Sequence, residues 1–192
     1  MNKINKNVML DLETLSTLPN AAIVSIAAVY FAPLTGELGE EFEQHITIKS
    51  AMEYGVVDGK TLSWWMKQST AARQIFNEEQ CTDLKSALYA FCNWLTMNSN
   101  ALKDGTPDVQ IWGNGATFDN VILSSAYDSI NFKKPWPYSG DRDVRTLVEL
   151  GKTLRTIDPK KTIAFAGTQH KALDDAKHQV KYVSEIFKAL AK

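Results

Sequence analysis

The chain opens with apolar runs of strand length. Val8 to Leu12 (VMLDL) carries an acid, Asp11, next to its end and neighbours a second, Glu13, the pattern of a buried strand with charge at its carboxyl end. Ala21 to Phe31 (AAIVSIAAVYF) is longer and β-branched, a second strand. Ala32 to Glu37 then turns the chain, with an early proline and a late glycine. Glu41 to Ile48 (EFEQHITI) alternates polar and apolar, as a half-exposed third strand does. Together these runs predict an antiparallel three-stranded meander.

Helical spacing takes over in the middle. Thr61 caps a helix with Leu62, Trp65 and Met66 at i, i+3 and i+4. A second helix over about Thr82 to Met97 puts Leu84, Leu88, Phe91, Cys92 and Leu95 on one face. Asp104 to Pro107 breaks the pattern, and Val109 to Trp112 is a fourth strand. Gly113-Asn114-Gly115 ends it, and Phe118 to Ser129 returns to helix. After a loop over Phe132 to Gly140, Asp143 caps a helix that Gly151 closes. Thr153 to Thr168 is irregular, and a last helix from about Lys171 carries Leu173, Ala176, Val180, Val183, Phe187 and Leu190, spaced mostly by threes and fours. The order predicts one α/β domain over residues 1–192, a mixed five-stranded sheet with its first three strands antiparallel, flanked by helices.

Composition excludes more than it adds. A chain of 192 residues, 44% apolar and 22% charged, suits one soluble globular domain rather than a disordered, collagenous or coiled-coil chain. A net charge of -1 is not that of a protein gripping duplex by phosphate charge alone, so any nucleic-acid site must be local. Cys81 and Cys92, eleven apart in what reads as one helix, are too distant to bridge and lack metal spacing; both read as reduced thiols. Met1 to Asn7 is short and polar without a leader pattern, and no apolar stretch reaches membrane-span length. A cytoplasmic location without membrane contact is expected.

Acids in unusual places carry the chemistry. Asp11 and Glu13 lie two apart near a strand end and so point to one side, where like charges repel unless a cation joins them. Alone, Asp-x-Glu is as consistent with an exposed Glu13 and a turn-capping Asp11. Asp119 sits in the first turn of a helix just past the fourth strand, where it serves the helix dipole or faces Asp11. His170, Asp174 and Asp175 open the last helix, and His170 reaches Asp175 only from the entering loop. Ala172 and Ala176 let that helix approach the sheet closely. Four acids and a histidine at strand ends and helix starts suit phosphodiester hydrolysis by two divalent ions, with the histidine taking the proton of the attacking water.

Three ordered segments resemble the DEDDh (DnaQ-like) 3′→5′ exonucleases, which share a ribonuclease-H-like fold: Asp11-Leu-Glu13-Thr14, Asn114-x-x-x-Phe118-Asp119 and His170-x-Ala172-x-x-Asp175-Ala176. Thr61 to Ser69 and Gly140 to Thr146 extend the likeness toward phage exonuclease A and a related bacterial 3′→5′ exoribonuclease group. The resemblance implies metal ligation by Asp11, Glu13, Asp119 and Asp175 with two Mg²⁺ or Mn²⁺, His170 as general base, and a homodimer. It implies that Thr14 and Leu15 meet the terminal nucleotide; Asn114 and Phe118 join the candidate substrate contacts, with Phe118 packing under the site to anchor Asp119. Asp174 is a departure that competes with Asp175 for the ligand role, although the five-residue spacing from His170 favours Asp175.

Trp64 lies off the Leu62–Met66 stripe and either stacks on a base or packs in the core or a subunit interface. Arg142 and Arg145 flank a helix cap and either meet phosphate or are solvated, and Arg142 joins the candidate substrate contacts. Lys160-Lys161 reads as a surface loop, and His45 and His178 as structural or exposed. The expected activity is removal of nucleoside 5′-monophosphates from single-stranded 3′ ends, DNA before RNA. The rivals are an idle nucleic-acid-binding module and a proofreading subunit that needs a polymerase.

Overall fold

The computed structural model describes residues 6–192. The polar stretch read over residues 1–7 lies outside it as far as residue 5. Strands β1 (Asn7–Thr14), β2 (Ile23–Phe31) and β3 (Leu38–Ile46) form the antiparallel meander. Helices α1 (Ile48–Tyr54) and α2 (Gly59–Trp65) follow, then β4 (Cys81–Thr82) and α3 (Leu84–Met97). The chain continues through β5 (Gln110–Gly113), α4 (Asp119–Ser129), β6 (Asp141–Asp143), α5 (Val144–Arg155), α6 (Pro159–Thr162) and α7 (Ala172–Leu190).

The sheet has six strands rather than five, in the order β4-β3-β2-β1-β5-β6, with β5 parallel to β1. The two edge strands, of two and three residues, are too short to show an alternation of their own. Cys81 lies in β4 and only Cys92 in α3, so the two thiols do not share a helix. The third strand stops at Ile46 because Thr47 caps α1 through Ser50 N–H, a helix the alternating EFEQHITI pattern conceals. Asp58, not Thr61, caps α2, accepting Thr61 N–H at 2.9 Å. Of the α2 stripe only Trp65 is buried; Leu62 and Met66 are exposed.

Gly151 does not close α5. It lies inside the helix, where an added Cβ would come within 3.0 Å of Ile186 Cγ1, so it permits α5 to approach α7. The helix ends at Thr156.

Alternation along β1 divides the core. Val8, Leu10 and Leu12 face a layer holding α3 and α4. Met9 faces the other layer, with Trp112, Val144, Ala176, Val180 and Val183 of β5, α5 and α7. Asp11 and Glu13 share the Met9 face by their spacing, so α7 covers the acids. Ala172 and Ala176 are fully buried at its first turns. Among the described residues no helix is long and apolar enough to cross a membrane.

Candidate active site

Small residues make room for the acids of β1. Ala27 stands opposite Asp11 on β2, and Ser25 opposite Glu13. Asp119 arrives from the other side, at the N-terminus of α4 directly after β5. The first turn of α4 fits against the strand because Gly113 has no Cβ; one there would lie 3.1 Å from Asp119 Cβ and collide with Asn120 Oδ1. Leu12 N–H donates to Asp119 Oδ1 at 3.2 Å, which ties the two motifs. Gln179 of α7 donates from Nε2 to Asp11 Oδ1 at 2.6 Å.

His170 stands in the loop before α7 with φ 64°, a left-handed conformation that histidine adopts more readily than most residues. Its backbone N–H donates to Asp175 Oδ2 at 2.8 Å. One ligand atom each from Glu13, His170 and Asp175 lies within 4.8 Å of the others. Asp174 is turned away: its Oδ2 accepts Thr168 N–H at 2.9 Å and braces the loop.

Burial dominates the electrostatics. It raises Asp11 well above the usual carboxylate range, and the charges of Asp119, Glu13 and Asp175 push it further, against the bond from Gln179. Burial, then Asp175 and Asp119, pushes Glu13 up to about 9. Burial lifts Asp119 to about 7 against the N–H of Leu12 and its other donors. Asp175 is raised by burial and held back first by the His170 N–H. A cation beside these raised carboxyls would favour their ionised forms. They bring hard oxygen donors, and the carbonyl oxygens of Asn114 and Gln179 nearby are buried without a partner.

A cleft of about 1050 Å³ opens on the Glu13 side, lined among others by Thr14, Leu18, Lys60, Trp64 and Phe118. Trp64 is 41% exposed, and its ring meets the His170 ring edge-to-face at 4.8 Å. Trp65 instead is buried and donates from Nε1 to the Thr14 carbonyl at 2.9 Å. Leu15 does not reach the cleft: it is 0% exposed, and its side chain belongs to the core. Arg142 does not reach it either, because its Nη1 donates to the Ser139 and Asp141 carbonyls at 2.8 Å. Asn114 borders the acids from the opposite side, in a second pocket with His170 and Asp175.

Sequence reasoning missed Gln179, Tyr182 and the placement of His178. All three lie on α7 and line that second pocket. Gln179 is 4% exposed and Tyr182 2%. The signal was the helical interval from Asp175, four residues to Gln179 and seven to Tyr182, which puts them on the acid's own face.

The fold is shared with solved nucleases. The nuclease domain of 3′hExo, a DEDDh family member bound to rAMP, matches with a TM-score of 0.65 at 13% identity, over 95% of this chain and 91% of that one. E. coli Exonuclease I in complex with a dT13 oligonucleotide matches at 0.70 and 11% identity, over 97% of this chain, which spans 42% of that enzyme. S. pombe Pop2p in its Mg²⁺- and Mn²⁺-bound form matches at 0.63 and 14% identity, over 96% and 85% of the two chains. No individual curated protein matches the sequence. The 3′-5′ exoribonuclease Rv2179c-like domain matches residues 6–187, nearly the whole chain. The protein therefore belongs to the Rv2179c-like 3′-5′ exoribonuclease domain family and is a 3′→5′ exonuclease.

Proposed function

We propose that the protein is a divalent-metal-dependent exonuclease that releases nucleoside 5′-monophosphates from single-stranded RNA, with single-stranded DNA as its second substrate. The reading is carried by the crowding of four carboxyls from β1, α4 and α7, all raised by burial. Asp11, Glu13, Asp119 and Asp175 would hold two Mg²⁺ or Mn²⁺. Bound, these ions supply an activated water and offset the charge on the leaving oxygen.

The chain's own residues do the rest. His170 takes the proton of the attacking water at an imidazole nitrogen, from a loop anchored by its N–H on Asp175. Gln179 orients the Asp11 carboxylate. The terminal nucleoside occupies the cleft, its base against Phe118 and Trp64 and its sugar near Thr14. Asn114 contributes from the opposite wall. The sequence alone ranks DNA first; the family's exoribonuclease description supports placing RNA ahead of it.

The test uses 5′-labelled RNA and DNA strands, single and duplex, with Mg²⁺ or with chelator. Stepwise shortening from the 3′ end in Mg²⁺ only, faster for RNA, is expected. A strand left intact in both Mg²⁺ and Mn²⁺ refutes the proposal, and retention without degradation in Mn²⁺ marks an idle binding module instead.

A further inference from the structure

The near-zero net charge hides an uneven distribution. Residues 145–192 hold ten Lys and Arg against five Asp and Glu, a net +5, whereas residues 1–144 hold eleven against seventeen, a net -6. The positive excess meets the acid cluster at one place. A pocket of about 450 Å³ opens on the Asp175 side, away from the aromatic cleft, and is lined by Asn114, Lys160, Phe165, His178, Gln179 and Tyr182 among others. The Lys160 ammonium lies 5.7 Å from the centroid of the Tyr182 ring. The Arg145 guanidinium lies against Gly115, where an added Cβ would be 3.0 Å from its Cζ, and its charge acts on both Lys160 and Asp119.

These two cations are not closely paired: Arg145 acts on Asp119 and Asp143, and Lys160 on Asp158, from beyond ion-pair distance. Neither has an ion pair within 4.0 Å among the described residues, while Lys152 and Lys161 are both taken by Asp158, at 3.5 and 3.6 Å. Burial, then Arg145 and Lys152, pushes the Lys160 ammonium down. Three buried polar atoms at the same pocket, Asn114 Oδ1, Gln179 Oε1 and His178 Nδ1, have no hydrogen-bond partner among the described residues. Gln179 itself is 4% exposed. The rings of Phe165 and His178, 4.8 Å apart, form an apolar wall beside them.

We infer that the substrate strand leaves the acids across this pocket, with Arg145 and Lys160 seating the first phosphate upstream of the scissile bond. The inference rests on the proposed function. If the terminal nucleoside fills the Glu13 side and the scissile phosphate sits at the acids, the remaining strand must depart from the Asp175 side. A phosphate there supplies the close anionic partner that neither cation has, and the guanidinium and ammonium are suited to it by fork geometry and point charge.

The test compares Lys160→Glu, Lys160→Gln and the Arg145→Glu/Lys160→Glu pair with Lys161→Glu, a neighbouring exposed charge. Binding of a twelve-nucleotide RNA is read by fluorescence anisotropy in chelator over a salt series. The slope of log Kd against log salt should fall by about 0.7 for Lys160→Glu and about 1.4 for the pair, and hold for Lys161→Glu. In Mg²⁺ the advantage of the twelve-mer over a dinucleotide, read as 1/KM, should shrink about tenfold for Lys160→Glu and less for Lys160→Gln. Slopes and KM values like wild type in every variant overturn the inference. A weaker inhibition by free nucleoside 5′-monophosphate with an unchanged slope also overturns it, and makes the pocket a seat for the product phosphate. Wild-type protein that degrades no strand refutes the proposed function instead, so the two failures are told apart.

Discussion

The acids and the histidine are held by opposite means. Asp11 and Glu13 stand on β1 between β2 and β5, and Asp119 is pinned by Leu12 N–H at the start of α4. His170 stands on a loop at φ 64°, braced by Asp174 through Thr168 and touching the half-exposed Trp64. Under the proposed function, the groups that would hold ions sit on rigid elements, and the group that would take a proton sits on a braced loop. Holding and proton transfer should therefore separate in experiment: loss of the first removes metal stabilisation and turnover together, and loss of the second removes turnover alone.

The largest effect is expected for Asp11→Ala. Strand cleavage should fall by about a thousandfold or more, and the rise in melting temperature caused by Mn²⁺ should disappear. In chelator the same variant should melt at or above the wild-type temperature, because a buried carboxyl has been removed. Unchanged cleavage would move the site elsewhere. His170→Asn comes next, with asparagine chosen because it tolerates positive φ. Its kcat should fall by about a hundred- to ten-thousandfold, with the Mn²⁺-dependent melting shift retained. A lost shift would place His170 among the holding groups and end the contrast.

Legibility in the sequence followed the same division. The three long strands, α3, α4 and α7 each present enough turns or alternations to define a face, and their Asp11, Asp119 and Asp175 could be put at strand ends and helix starts. The edge strands Cys81–Thr82 and Asp141–Asp143 are defined by what they pair with, not by any pattern of their own. Leu15 shows the limit of carrying a motif across by position, because only the fold decides that its side chain turns into the core. Arg142 and Arg145 are alike in sequence. Their difference comes from the loop carbonyls that Arg142 caps, which belong to a turn with no periodicity.

Gln179 supports the acids from α7 and was legible only as an interval. Gln179→Leu removes the donor to Asp11 while keeping an apolar residue of similar volume. It should weaken metal affinity by about ten- to a hundredfold, read as the Mn²⁺ concentration at half-maximal activity, with little change in kcat at saturating metal. A kcat loss that excess Mn²⁺ does not restore would give Gln179 a role beyond orienting the ligand.

The smallest expected effect separates the two regions by pH. Without metal, Glu13 keeps its proton in the fold up to about 9 and Asp119 to about 7, while the unfolded chain releases both near their ordinary values of 4.5 and 3.8. Between those limits the folded state binds more protons, so stability is complete at acid pH and is lost as pH rises through 5 to 9. The melting temperature in chelator should therefore decline by several degrees across that range. With Mn²⁺ the folded carboxylates are ionised and paired, so the decline should vanish. At a hundred times the dissociation constant the added stability is about 2.7 kcal/mol, or about 5–10 °C for a chain of this size. The metal-induced shift should accordingly be larger at pH 8 than at pH 5. His170→Asn should leave this trend in place, since the titrating groups are Glu13 and Asp119, whereas Asp11→Ala should make it shallower by removing a further raised carboxyl. A decline of equal slope with and without Mn²⁺ would mean that groups outside the acid cluster set the pH dependence.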